Sequence, residues 1–230
     1  MHCMSKSDLC DVSHLFWADL PLVNIFVCMT PDLLHQLHKG MFKDHLIAWV
    51  SHERKAEVDT CFSRIPPYPG LRVFHCRISH ISQWTGNKYC QMEKVFVGII
   101  CGVRDDPRLV HATRAILDFI YLVHYSSPTT SSLDIMKEAL KEFHDNKQIF
   151  IDTGARNHFN IPKIHAMQHY VASIIDFGSC DGLSTEISEW LHINFAKLAY
   201  RVTNRKEYVK QMVLWLSRQE KITWFETYLT

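Results

Sequence analysis

Apolar residues recur every three to four positions along most of this 230-residue chain, which is the period of an amphipathic α-helix. The first stripe predicts a helix over 31–51. Further helices are predicted over 53–62, 88–102, 107–124, 131–153, 162–175, 185–200 and 204–219. Two segments, Leu22–Cys28 and Arg72–Cys76, have the pattern of short strands. We therefore expect an all-α (mainly helical) fold.

Proline, glycine and hydroxyl residues mark the predicted helix ends. Thr30 is expected to cap the first helix, with Pro31 at its first position. Ser131 and Ser132 would cap the helix that Gly154 closes, and Asn204 the last one. We divide the chain into an N-terminal segment over 1–29, a helical domain with a final acidic helix over 30–220, and a C-terminal tail over 221–230.

Two polar segments are candidate sites. The first helix begins with Asp32, His35, Gln36 and His38 close to one face, although a capped surface helix would also have such a start. The segment 176–189 is acidic and contains two glycines. The helix after it places Glu186 and Glu189 on one face, where they could also simply stabilise its first turn.

Several stretches, in the same order along the chain, match one family. They are FWADLP and TPDLLHQLHKGMFKDHL at 16–46, SQWTG at 82–86, MEKVFVG at 92–98, HFNIPKIH at 158–165 and TEISEWLH at 185–192. In these stretches the chain resembles the transposases of fungal Plavaka elements, in the Kyakuja-Dileera-Zisupton superfamily. The resemblance covers roughly residues 15–220.

The resemblance implies a ribonuclease-H-like core with three catalytic carboxylates and a helical insertion before the last of them. This chain resembles only the insertion and the final acidic helix, without the complete sheet. Glu189 then matches the third carboxylate, with Glu186 in reserve, and would bind Mg²⁺ (or Mn²⁺) only if the missing core is present. Asp32 and His35 match an Asp-x-x-His signature whose role is structural or DNA-contacting.

The chain also departs from the family. The first catalytic aspartate is expected upstream of Met1, and the second either precedes the chain as well or is Asp19. Asn24 stands where many relatives carry aspartate. We therefore expect a transposase fragment that is inactive by itself and binds no metal ion, and the N-terminal segment would be the remnant of its junction with the nuclease core. The resemblance implies a nuclear protein.

Charge limits the role of DNA binding. The formal net charge is +1, so any contact with DNA must come from a local patch. Such a patch is Lys197, Arg201, Arg205 and Lys210, although a solvated helix face explains these residues equally well. No run of residues is apolar and long enough to suggest a transmembrane or secretion signal, and no motif suggests an organic cofactor.

Cysteine and histidine are frequent, with eight and fifteen residues. No CxxC pair is present, so reduced thiols are expected, and the ligand spacing of a closed zinc site is missing. The candidate pairs are His35 with His38, His165 with His169, and His75-Cys76 with His80. A metal-binding helical protein that uses His158, His165, His169 or the acids at 176–189 is the weaker alternative function.

A non-catalytic DNA-binding or protein-interaction module derived from a transposon is the main alternative. Without a nuclease core, the apolar run of Leu15, Phe16, Trp17, Leu20, Ile25 and Phe26 would lose its packing partners, which favours self-association. In an intact relative both candidate segments would border one active site. We therefore expect Asp32 or His35 to lie close to Glu189.

Overall fold

The computed structural model describes residues 15, 17–22, 24–74, 78, 86–103 and 105–229. It confirms the all-α fold class, with 70% helix and neither strand nor sheet among the described residues. The chain divides into two compact units, Met1–Thr30 and Pro31–Thr230. Within the part that is described, no helix combines the length and apolar character needed to span a membrane.

In the described part of the first unit, Ile25–Cys28 form a short helix, α1. The predicted strand Leu22–Cys28 is therefore wrong. Local bonds such as Met29 N–H to the Ile25 carbonyl, at 3.0 Å, satisfy the backbone where a strand would need a neighbour. In the second predicted strand, Arg72–Phe74 is irregular, whereas residues 75–77, 79–85 and 104 lie outside the described residues, as do the zinc candidates His75, Cys76 and His80.

The described elements of the second unit are all helices or helical turns. Its first element is a π-helix, Leu33–Ile47, which runs directly into α2 (Ala48–Val50). The remaining elements are α3 (Lys55–Ser63), α4 (Gly86–Ile100), α5 (Pro107–Val123), α6 (Thr130–Asn146), α7 (Ile149–Asp152), α8 (Pro162–Met167), α9 (Tyr170–Phe177), a 3₁₀ turn (Cys180–Leu183), α10 (Glu186–His192), a second π-helix (Ile193–Leu198), α11 (Ala199–Arg201) and α12 (Tyr208–Leu229).

The first π-helix lies at the centre of the core and packs against α4, α5 and α8. Phe42 meets Phe96 of α4 edge-to-face, with ring centroids 5.2 Å apart. On another side of the core Phe119 of α5 packs in the same way against Tyr170 of α9, at 5.7 Å. Such edge-to-face pairs add to the stabilisation that apolar burial supplies.

Several predicted helix ends need correction. Asp32 and not Thr30 caps the first helix, and Thr129 caps α6 by exchanging hydrogen bonds with Ser132. The helix predicted to reach Gly154 breaks after α6, and the one predicted over 162–175 breaks between α8 and α9. The last helix occupies 208–229 instead of 204–219. Arg205 and Glu207 have positive φ values, which interrupt a right-handed helix.

Gly40 gives α8 room to approach the first π-helix. A β-carbon built at Gly40 would lie 2.6 Å from the His35 carbonyl oxygen and 2.9 Å from Cδ of Lys163. The ammonium of Lys163 donates to that same carbonyl at 3.2 Å. The glycine therefore leaves space for a side chain that satisfies a backbone acceptor next to the candidate site.

We expect Gly40→Ala to destabilise the protein by about 1–3 kcal/mol, because the methyl group overpacks a backbone contact. Gly98→Ala is the matched control. Gly98 lies within α4, and no atom beyond the adjacent backbone of its own helix lies within 4 Å of an added β-carbon. The alanine should therefore stabilise the protein by about 0.5–1 kcal/mol. Urea unfolding of both variants measures the difference. Equal stability of the two variants would contradict the tight packing at Gly40.

Candidate functional site

Asp32 joins two segments that lie 153 residues apart in the sequence. Its Oδ2 accepts the backbone N–H of His35 at 2.6 Å and thereby caps the first π-helix. Its Oδ1 accepts the backbone N–H of Thr185, the residue before α10, at 2.8 Å. One carboxylate thus holds the starts of both candidate segments together.

His35 completes the link by reaching Glu189 of α10. Its Nδ1 lies 2.7 Å from Asp32 Oδ2 and 3.0 Å from the Thr185 hydroxyl, and its Nε2 lies 2.7 Å from Glu189 Oε1. An ionised carboxylate can only accept hydrogen bonds. The contacts of His35 with Asp32 and with Glu189 are therefore both hydrogen bonds when both ring nitrogens of His35 carry protons. The expected proximity of His35 to Glu189 is confirmed.

The site becomes more exposed from Asp32 towards Glu189. The side chains of Asp32, His35 and Glu189 are 17%, 40% and 53% exposed. Burial raises the pKa of Asp32, but the hydrogen bonds from His35 and Thr185 outweigh it and bring this pKa below its usual value. Asp32 is therefore held as a carboxylate, while Glu189 lies at the surface.

Two supporting residues were not predicted from the sequence. The hydroxyl of Tyr170, which is fully buried, donates to the backbone carbonyl of Asp32 at 2.9 Å, and burial raises its pKa. Lys163 holds the carbonyl of His35, as described above. The position of Lys163 within the family-like stretch HFNIPKIH was the available signal, whereas Tyr170 has the apolar helical pattern of an ordinary core residue.

Glu186 and Glu189 occupy different surroundings although they start the same helix. Glu189 faces His35. The carboxylate of Glu186 instead lies against Gly86, the first residue of α4, where no β-carbon would fit. A carboxylate at that end of α4 interacts favourably with the helix dipole. This contact is a structural explanation for Glu186 that does not apply to Glu189.

The four predicted DNA-binding residues are all exposed. Lys197 belongs to the second π-helix, Arg201 ends α11, Arg205 lies in the following loop and Lys210 is in α12. The ammonium of Lys210 lies 3.1 Å from a carboxylate oxygen of Glu207, which partly offsets its charge. The basic residues are therefore spread over successive elements instead of one helix face.

A second polar cluster lies in the core, behind the first π-helix. Nδ1 of His38 is 2.8 Å from Glu93 Oε1 of α4, and both side chains are almost fully buried. Nε2 of His38 is 2.7 Å from Nε2 of His124, the residue after α5. Cys90 is close by, and burial, together with Glu93 and Glu186, raises its pKa to about 11. Sequence reasoning singled out His38 but none of its partners.

The residues around Glu189 do not fit a complete two-metal site. That chemistry places two ions about 4 Å apart, held by several carboxylates. Among the described residues, the one group of three or more His, Cys, Asp and Glu side chains close enough to share an ion is His38, Cys90 and Glu93, which does not include Glu189. No metal-dependent step follows from Glu189 alone.

Comparison with known proteins identifies the N-terminal part of the chain. The family model of the Plavaka transposase matches residues 2–50, which include Asp32 and His35. The resemblance to Plavaka-type transposases is confirmed. No curated protein and no solved structure matches the chain significantly. The Plavaka match suggests a transposase-derived protein, and this class interacts with DNA and depends on metal ions in general.

We expect Asp32→Ala to release the start of α10. Loss of a helix cap alone costs about 0.5–2 kcal/mol, and this variant also loses the bond to Thr185. Hydrogen exchange of the Thr185 amide and of α10 should therefore accelerate. Asp106→Ala is the control, since Asp106 caps a different helix, α5, by accepting the Arg108 N–H at 2.9 Å. Similar acceleration in both variants would contradict a specific link.

Proposed function

We propose that this chain is a fragment of a DNA transposase of the three-carboxylate, two-metal type, comprising the helical insertion and the final acidic helix. The observation that carries the proposal is the 2.7 Å contact between His35 and Glu189. It joins the segment matched by the Plavaka family to the distant helix that bears the expected third carboxylate. A capped surface helix would have no reason to make this contact.

In this proposal Glu189 is the catalytic acid, and Asp32 and His35 are positioning residues. Asp32 fixes the backbone before α10 through Thr185, and His35 holds one oxygen of the Glu189 carboxylate. Preorganisation of this kind matters because an ion-binding carboxylate must be held close to its productive geometry. Glu186 stays in reserve, and its contact with Gly86 favours the structural role.

These residues by themselves should be catalytically inactive. Mg²⁺ or Mn²⁺ would need further oxygen ligands beside Glu189, which in the intact transposase come from the nuclease core. The proposed partner is DNA, bound weakly through Lys197, Arg201, Arg205 and Lys210, and the proposed location is the nucleus. The near-neutral net charge supports weak rather than strong binding.

We expect the purified chain to bind duplex DNA weakly and not to cut it. Binding should fall steeply as salt rises, because phosphate contacts release counterions. Gel electrophoresis of a labelled duplex mixed with the protein, with and without Mg²⁺ or Mn²⁺, measures the retardation and the nicking of the DNA in the same samples. Replacing Lys197, Arg201 and Arg205 by glutamine should weaken binding and flatten its salt dependence.

The matched control replaces Lys55 of α3 and Lys137 and Lys141 of α6 by glutamine, which removes three exposed positive charges elsewhere. Equal weakening by both sets would argue against a local DNA surface. Metal-dependent nicking that Glu189→Ala abolishes would overturn the proposed inactivity, since a complete site would then exist within these residues.

A protein-interaction module is a second candidate, because the C-terminal helices bury almost nothing. Neither α10, the second π-helix nor α12 has a buried residue. Of the N-terminal apolar run, Leu15 and Leu20 are exposed, whereas Phe16 and the side chain of Phe26 lie outside the described residues. Large aromatic side chains are exposed on α12, where Trp224, Phe225 and Tyr228 are 74%, 62% and 84% exposed.

We expect the chain to self-associate through α12, because exposed aromatic side chains gain from burial against a second copy. Sedimentation velocity at increasing concentration should detect dimers or larger species. Trp224→Glu combined with Tyr228→Glu should return the chain to monomer, whereas Tyr68→Glu, which is 72% exposed on a distant proline-rich turn, should not. A monomer at all concentrations would exclude this surface as a self-association site.

A further inference from the structure

The buried cluster behind the first π-helix has the composition of a metal site. His38 and Glu93 are both 3% exposed, although histidine and glutamate are rarely buried without strong partners. The ligand atoms of His38, Cys90 and Glu93 all lie within 4.8 Å of one another. Cys90 and Glu93 are three residues apart in α4, which places both on one helix face.

His124 supports this group from the end of α5. Its Nε2 lies 2.7 Å from Nε2 of His38, and the two ring centroids are 4.9 Å apart. The other ring nitrogen of His38, Nδ1, lies 2.8 Å from Glu93 Oε1. A nitrogen of His38, a sulfur and a carboxylate oxygen thus converge from the first π-helix and α4, while His124 holds the far side of the His38 ring.

We propose that His38, Cys90 and Glu93 bind one zinc ion that joins the first π-helix to α4, with a water molecule as the fourth ligand and His124 as the outer-shell partner of His38. Zinc takes four nitrogen, sulfur or carboxylate ligands in structural sites, whereas Mg²⁺ prefers oxygen ligands throughout. Metal binding displaces the proton of the Cys90 thiol to solvent, and the thiolate becomes the sulfur ligand. This site is separate from Glu189 and does not depend on the proposed transposase chemistry.

The proposed ion would also affect the exposed site at His35 and Glu189. His38 follows His35 by three residues in the same π-helix, so an ion held by His38 would fix the helix that presents His35 to Glu189. The sequence lacks the two closely spaced ligand pairs of familiar zinc modules, because the donors come from two separate helices. The ion would therefore strengthen a core that is already apolar and well packed.

The test measures zinc content and ligand identity in the full chain. After dialysis the protein should retain about one zinc per chain by elemental analysis. Co²⁺ in place of zinc should show a thiolate-to-metal band and the visible spectrum of a tetrahedral site. Cys90→Ser should remove the thiolate band, and the second ligand variant, His38→Gln, should lose stoichiometric zinc. His124→Gln should lower zinc affinity by only the roughly 10- to 100-fold that loss of an outer-shell partner costs.

Two control variants keep the test specific. Cys61→Ser replaces another reduced thiol, and His165→Gln disrupts an exposed histidine pair whose Nε2 atoms are 3.2 Å apart. Both should retain the wild-type metal content and spectrum. Added zinc should raise the melting temperature of the wild type and the controls but not that of the two ligand variants, with circular dichroism verifying their folding.

Three outcomes would overturn the proposal. They are a chain without stoichiometric zinc or cobalt, a cobalt spectrum without the thiolate band, and metal binding that survives both ligand variants. Loss of binding in His165→Gln but not in Cys90→Ser would move the metal to the exposed pair and would equally reject the buried site.

Discussion

The arrangement of the candidate site depends on the carboxylate of Asp32. One oxygen caps the first π-helix and the other accepts the amide before α10, so a single side chain orients two helices towards each other. The charge is favoured at this position because the free N–H groups of a helix start point towards it. His35 and Glu189 can meet only because this contact has already placed their backbones.

The helices that follow a strong apolar period were predicted well. The helix predicted over 107–124 matches α5, where Asp106 caps the helix and Pro107 occupies its first turn. Predictions failed where local backbone geometry decides, as at Arg205 and Glu207 with their positive φ, or between α8 and α9. Apolar periodicity continues across such breaks and therefore cannot locate them.

The candidate site could be predicted from the family resemblance but not from the apolar periodicity of the sequence. Asp32, His35 and Glu189 carry recognisable motifs, but only the folded chain brings Thr185, Tyr170 and Lys163 to them. The buried cluster was missed for a related reason. Glu93 lies in α4 and His124 directly follows α5, and no local spacing connects them to His38.

The first π-helix therefore has two chemically different sides, with His35 half-exposed beside Glu189 and His38 buried beside Glu93. Its wide turns are unusual, since π-helical geometry mostly occurs as single turns near functional sites.

The absence of any buried side chain in α10 has a thermodynamic consequence. Detaching this helix would break polar contacts and expose little additional apolar surface. The free energy of that local opening should therefore depend only weakly on denaturant concentration and should carry a small heat-capacity change. Unfolding of the aromatic core around Phe42 and Phe96 would instead depend strongly on denaturant concentration and carry a large heat-capacity change. The segment bearing Glu189 can thus open and close independently under conditions that leave the core intact.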